Sequence, residues 1–129
     1  MRVLLMIVMP QQLAICRLGP ADDLPAAVRQ ASFWSATRTE EELSLVIPED
    51  FIPPGSRCER GWRALKVAGP LDLTLTGVLH SIAEPLAHAG ISLFALSTFD
   101  TDYLLVRERD LEAATSVLSK AGHRVERQQ

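Results

Sequence analysis

Short apolar runs separated by polar turns recur along this chain, and two of them enclose its most polar segment. Residues 91–96 and 103–106 are apolar, and the residues between them carry hydroxyl and carboxylate groups. Runs of this length that end at turn residues are typical of buried strands. We therefore predict a hairpin whose connection carries Ser97, Thr98, Asp100 and Asp102. Loops held by rigid strands often carry binding groups, so this connection is a candidate site.

The apolar periods of the C-terminal half alternate between strand and helix. Residues 62–67 alternate as a strand does, whereas 76–89 and 111–121 have helical spacing, and Asp110 is expected to cap the second helix with its carboxylate. With the two runs above and a short strand at 123–126, the order is β-α-β-β-α-β. This order predicts an α+β, ferredoxin-like fold with an antiparallel sheet and both helices on one face.

The N-terminal half has a weaker version of the same pattern. Strands are predicted at 12–18, 33–38 and 43–48, with room for only a short helix within 19–30. We place a boundary in the turn-rich stretch that follows, giving a reduced unit at 1–54 and a complete unit at 55–129. Residues 1–9 are interpreted as a strand or a mobile extension rather than a signal peptide, and they are too short to span a membrane.

Composition excludes some classes of function. The net charge is −3 and the basic residues are scattered, which argues against nucleic-acid binding. The two cysteines, Cys16 and Cys58, lack metal-site spacing. A disulfide between them is possible, but we expect reduced thiols in a cytosolic protein. No nucleophile, base and orienting group form a defensible set, and no cofactor or metal is expected.

Several motifs of the C-terminal half resemble the ACT domain, and more closely the small bacterial tandem-ACT proteins related to the CASTOR arginine sensors. The motifs are Gly61-Trp62-Arg63-Ala64-Leu65-Lys66-Val67, Gly69-Pro70-Leu71-Asp72, Thr76-Gly77-Val78, Glu84-Pro85-Leu86-Ala87, Ala89-Gly90-Ile91-Ser92, Ser97-Thr98-Phe99, Thr101-Asp102-Tyr103 and Leu105-Val106. The resemblance extends to residues 42–46 in the first half. It implies tandem ACT units with a ferredoxin-like fold.

The resemblance also implies where a ligand would bind. ACT domains generally bind amino acids and many regulate metabolic enzymes. The sensor pattern implies ligand contacts in two segments, which carry Thr76, Gly77, Val78, Ser97, Thr98, Phe99 and Asp102. Asp100 joins this set by its chemistry, because a carboxylate can bind a ligand's ammonium group. The sensors have an acidic residue where this chain has Leu75, which puts arginine in doubt as the ligand.

Structural roles compete with each of these assignments. Thr76 can be a helix cap, Gly77 a packing glycine, and the two aspartates turn residues that bond their own backbone. His80 and His88 are most simply solvated helix residues.

The leading hypothesis is a cytoplasmic, non-enzymatic regulatory homodimer that binds an amino acid or a similar small molecule, without nucleic-acid or membrane partners. The alternative is a protein-interaction module with a vestigial pocket, whose exposed sheet edges pair with a partner.

Overall fold

The computed structural model of the chain describes residues 3–69 and 77–128. Two compact units are present: a large unit formed by Met1–Pro10 and Arg63–Gln129, and a small unit formed by Gln11–Trp62. This division differs from the boundary that we drew after residue 54. The first strand of the chain belongs to the C-terminal unit, and the small unit extends past the turn at 53–57.

In the part of the large unit that the structure describes there are five strands and two α-helices. They are β1 (Leu5–Val8), the second half of β5 (Arg57–Val67), α1 (Val78–His88), β6 (Leu93–Ser97), β7 (Asp102–Arg107), α2 (Leu111–Lys120) and β8 (Arg124–Arg127), with strand order β6-β7-β5-β1-β8. The α+β, ferredoxin-like order of elements is confirmed. The sheet is mixed rather than wholly antiparallel, because β1 lies between β5 and β8 and pairs with β8 in parallel.

One apolar core joins the helices to the sheet of the large unit. Alternate residues of the strands point into it, as strand geometry requires, and every third or fourth residue of each helix does the same. The shared core includes Met6, Val8, Leu65, Val67, Val78, Ile82, Leu86, Leu104, Val106, Leu111, Ala114 and Leu118. The two helices also contact each other. Both helices therefore cover the same face of the sheet, as predicted.

Asp110 precedes α2 as predicted, but its carboxylate caps nothing. The residue occupies the N-cap position without a side-chain hydrogen bond to the helix. A single 3-10 turn, Glu108–Asp110, leads directly into α2 and holds Asp110 at φ −99° and ψ 0°. An N-cap side chain normally reaches the first amides from an extended backbone. The preceding 3-10 turn prevents the extended conformation. The predicted hydrogen bond from the first amides of α2 to the Asp110 carboxylate is therefore wrong.

The small unit is an antiparallel sheet of four strand segments. Its strands are β2 (Leu13–Leu18), β3 (Ser35–Arg38), β4 (Leu43–Pro48) and the first half of β5, in the order β3-β4-β2-β5. The helix expected within 19–30 is a 3-10 helix, Ala26–Gln30, whose Val28 is fully buried. Val28 packs with Ala14, Leu45 and other apolar residues of β2 and β4 in a core of the small unit's own.

A bulge bends β5 inside the small unit. Leu13 lies opposite Trp62 and Ile15 opposite Glu59, so the ladder shifts register between these pairs. Gly61 provides the conformation for this shift, with φ +83°. Its amide donates to the Glu49 carboxylate at 2.7 Å. Glycine in the left-handed region is the usual residue of such a bulge.

The two cysteines are bonded to each other, so the expectation of free thiols is wrong. Cys16 on β2 and Cys58 on β5 are directly opposed in the antiparallel ladder, with their Cα atoms 4.1 Å apart and their sulfur atoms joined. The two residues are 42 positions apart in sequence. Local patterns do not reveal that pairing, since it depends on how β5 aligns with β2.

Candidate functional site

The first segment of the predicted site is the start of α1. Gly77 occupies the N-cap position with φ +77°, and no side chain caps the helix there. Val78 is buried and contributes to the core rather than to a surface. The first amides of a helix have no partner within it and favour a negative group. Thr76 lies outside the described residues, so only Gly77 and Val78 of this segment have a described position.

The second segment is the connection between β6 and β7, where the sequence predicted it. Ser97 and Asp102 are opposed residues of the two strands, and the Ser97 hydroxyl donates to Oδ1 of Asp102 at 2.6 Å. The Thr98 amide donates to the carbonyl oxygen of Thr101 at 2.9 Å and closes the turn. The structure therefore joins Ser97 to Asp102 and orients one carboxylate oxygen of Asp102.

Phe99 and Asp100 form the exposed tip of this turn. The Phe99 residue is 80% exposed, and Asp100 is exposed beside it. Among the described residues, the Asp100 carboxylate has no ion pair or hydrogen bond, so it is available to a cationic group. Within 3–69 and 77–128, no hydrogen bond links Gly77 or Val78 to the turn. The described parts of the two segments are thus not hydrogen-bonded to one another.

Thr101 supports the turn, a role that its sequence position did not predict. It is 5% exposed, and its hydroxyl donates to the carbonyl oxygen of Val67 at 2.6 Å. This bond ties the turn to the end of β5, the strand that leads towards the start of α1. A threonine next to aspartates is usual in a turn, so its spacing alone offered no signal that it would be buried.

A separate groove lies between α1 and α2, and none of the residues predicted to bind a ligand lines it. It has a volume of about 590 Å³ and is lined by His80, Ser81, Glu84, Pro85, His88, Ala89, Val117, Lys120 and Ala121. Nε2 of His80 lies 2.9 Å from the Glu84 carboxylate. The small side chains of Ala89 and Ala121 leave the space open, and sequence periodicity does not distinguish such residues from core positions.

The described residues contain neither a metal-binding cluster nor a helix that could span a membrane. No three His, Cys, Asp or Glu side chains among them are arranged to hold a metal ion. Across the same residues, neither α-helix has the length and apolar character needed to cross a membrane.

Comparison with known proteins identifies the family. The family model of the ACT domain matches residues 57–120, and a second model, described as an N-terminal domain, matches residues 11–55. The chain belongs to the ACT domain family. The ACT match includes α1, the β6–β7 turn and α2, so both segments of the predicted site lie in the ACT domain.

Three known proteins show how far the similarity extends. A crystal structure of a protein from Agrobacterium tumefaciens is 36% identical, with a TM-score of 0.93 over 100% of this chain and 96% of that one. The regulatory subunit of aspartate kinase from Thermus thermophilus is 13% identical, with a TM-score of 0.61 over 87% of this chain and 93% of that one, and it shares the fold.

The third relative is a sensor. The protein named cytosolic arginine sensor for mTORC1 subunit 1, from Bos taurus, is 31% identical over 102 residues. The match includes 70% of this chain and 31% of the sensor. This chain therefore spans about a third of the length of the sensor that it matches.

Proposed function

We propose that this chain is a non-enzymatic regulatory protein that binds an amino acid or a similar small molecule through its ACT domain. The observation that carries the proposal is the β6–β7 turn. It presents two carboxylates on a connection fixed by Ser97 and Thr101: Asp102, which is held by the Ser97 hydroxyl, and Asp100, which has no bonded partner among residues 3–69 and 77–128. A relative that is named as an arginine sensor supports the same class of ligand.

The electrostatics of the two segments suggest how the ligand is oriented. Its carboxylate would bind at the start of α1, at Thr76, Gly77 and Val78, because a helix N-terminus favours negative charge. Its ammonium group would bind Asp100 or Asp102 through charge-assisted hydrogen bonds, with support from Ser97 and Thr98. Phe99 would close over the apolar part of the ligand. This chain has Leu75 where the sensor pattern has an acidic residue. The proposed class of ligand is therefore an amino acid, and arginine is not singled out.

Three further properties belong to the same proposal. The protein acts in the cytoplasm, as the sensor relative is named cytosolic. It forms a homodimer, since two-fold pairing is the commonest assembly of soluble homo-oligomers. As repeats along the sequence, residues 1–54 would be a reduced ACT-like copy and 55–129 the complete ACT domain, with β1 of the first copy packing in the large unit. Light scattering at tens of micromolar protein tests the dimer, and a monomer mass would contradict it.

Phe99 favours one alternative, a protein-interaction module. A phenylalanine that is 80% exposed at the tip of a rigid turn is suited to contact with a partner. In this alternative the turn binds a protein and the α1 start binds nothing. The two functions differ in whether a free amino acid stabilises the chain.

A thermal-shift screen over the twenty amino acids separates the two functions. An amino acid present at a hundredfold excess over its dissociation constant adds about 2.7 kcal/mol to the unfolding free energy. We expect one or a few amino acids to raise Tm, and the same amino acids to lose their effect in Asp102→Asn. If none of the twenty raises Tm while Phe99→Ala weakens association with a partner protein, the interaction module is the correct function.

A further inference from the structure

Cys16 and Cys58 form a sulfur pair whose two halves have very different environments. Cys16 is 1% exposed and packs in the apolar core of the small unit with residues such as Ala14 and Leu45. Cys58 is partly exposed and packs against that core without being buried in it. Cys58 is therefore the more accessible of the two cysteines to a reagent in solution. This difference gives the pair a defined point of attack.

We propose that this pair is a reversible thiol–disulfide exchange site for a low-molecular-weight thiol of the glutathione class, with Cys58 as the residue that is modified. The amino-acid site lies in the large unit, and both cysteines lie in the small unit. The proposal is therefore independent of the proposed function, and each can fail without the other.

Ser56 provides the reduced state with a hydrogen-bond partner. Its hydroxyl oxygen lies 3.3 Å from Sγ of Cys58 and 2.6 Å from the carbonyl oxygen of Pro53. The Ser56 hydroxyl donates to Pro53 in the shorter contact, so its oxygen can accept a hydrogen bond from a Cys58 thiol. A reduced Cys16 behaves as a small apolar side chain and suits the core in which it already lies. Both redox states thus fit this site.

The exchange balances in two steps. The thiolate of the small molecule attacks Sγ of Cys58, the bond to Cys16 breaks, and its electron pair goes to the Cys16 sulfur, which takes up a proton. A second small thiolate then attacks the mixed disulfide on Cys58 and releases the Cys58 thiol with the oxidised small molecule. Two small thiols are oxidised as one protein disulfide is reduced, and oxidised glutathione reverses the sequence. In a reducing compartment, such exchange is the usual behaviour of a protein disulfide.

Reduction would loosen a specific part of the small unit. The disulfide links β2 to β5 at the cysteine pair, close to the register shift between Leu13 and Ile15. Without the link, the two strands remain joined through their ladder alone. The unfolded chain also regains the freedom that the link removed, so the reduced protein is less stable while its sheet persists.

The test places the full chain in buffers of reduced and oxidised glutathione and counts free thiols by alkylation and mass spectrometry. We expect a reversible change between zero and two thiols, a fall in Tm of roughly 5 °C or more on reduction, and a trapped glutathione on Cys58. Cys16→Ala should carry glutathione on Cys58, whereas Cys58→Ala should carry none on Cys16.

Three outcomes would overturn the proposal. The folded protein could keep its disulfide in millimolar reduced glutathione, which would make the link a fixed structural one. It could stay fully reduced in oxidised glutathione, so that no link forms. Glutathione could also be trapped equally on both cysteines. The distribution of glutathione between the two cysteines is measured by peptide mapping of the unsubstituted protein, so this outcome can be read even if a variant fails to fold.

Discussion

Pro85 leaves the backbone carbonyl of Ser81 without its helical donor, and the ring of His123 takes that donor's place. In α1 the carbonyl oxygen of Ser81 would accept from the amide of residue 85, but proline has no amide hydrogen. Nε2 of His123 lies 3.0 Å from that oxygen, and Nδ1 of His123 lies 3.2 Å from the amide nitrogen of Leu4. The Leu4 amide can only donate, so Nδ1 accepts and the proton resides on Nε2. The buried ring therefore supplies the donor that Pro85 lacks and ties α1 to Leu4, the residue before β1.

The first prediction follows from this bridge. His123→Ala should lower the free energy of unfolding by about 1–3 kcal/mol, since it leaves the buried Leu4 amide and the partly buried Ser81 carbonyl without partners. Part of this loss should disappear when Pro85→Ala is present, because an alanine at that position restores an amide for the Ser81 carbonyl. Urea denaturation of the two single variants and the double variant measures the coupling. Equal costs of His123→Ala in both backgrounds would show that the bond to Ser81 contributes nothing.

A matched histidine serves as the control for that cycle. His80 lies on the same helix with a side chain that is 75% exposed. His80→Ala should change the unfolding free energy by no more than about 0.5 kcal/mol, as exposed substitutions usually do. A large effect at His80 would point to a general sensitivity of α1.

The second prediction concerns Thr101. Thr101→Val keeps the side-chain shape but removes the hydroxyl that donates to Val67, so it should cost about 1–3 kcal/mol in unfolding free energy. Thr115→Val is the control, because the Thr115 hydroxyl donates to Leu111 four residues earlier in α2. That carbonyl retains its helical partner, and the change should cost about 0.5 kcal/mol or less. Similar costs for the two variants would contradict an anchoring role for Thr101.

The third prediction tests the bulge at Gly61. A Cβ built there meets nothing within 4 Å, so any cost of Gly61→Ala comes from its φ of +83° rather than from a clash. We expect a loss of about 1–2 kcal/mol for alanine and a smaller loss for Gly61→Asn, since asparagine tolerates the left-handed region. Chemical denaturation of the two variants provides the comparison. An asparagine variant as unstable as the alanine variant would exclude backbone strain as the cause.

Much of the large unit could be predicted because the apolar spacing that marks each helix and strand lies within that element. The helix expected at 111–121 is observed as Leu111–Lys120, and the hairpin flanking the polar turn is formed by β6 and β7. The apolar spacing that marks each element is also the spacing that the core selects. The position of the turn followed from the same pattern, whereas its support by Thr101 did not.

The remaining features depend on partners distant in sequence. The insertion of β1 between β5 and β8 is a pairing between the two ends of the chain, and no local period encodes it. The strand predicted at 62–67 omits residues 57–61, whose backbone pairs with β2 and aligns Cys58 with Cys16. Long-range register thus accounts for the missed half of β5 and for the missed disulfide.

The final prediction tests the proposed ligand site through Asp102. Asp102→Asn removes a charge but keeps an oxygen that can accept from the Ser97 hydroxyl, so the turn should persist and Tm without ligand should change little. Hydrogen bonds to charged groups contribute about 1.5–3 kcal/mol, and binding of the best amino acid from the screen should weaken at least tenfold. Calorimetry on Asp102→Asn and Asp100→Asn shows which carboxylate holds the ammonium group. If both variants bind as tightly as the original chain, the ligand site is not at this turn, and the α1–α2 groove becomes the place to examine.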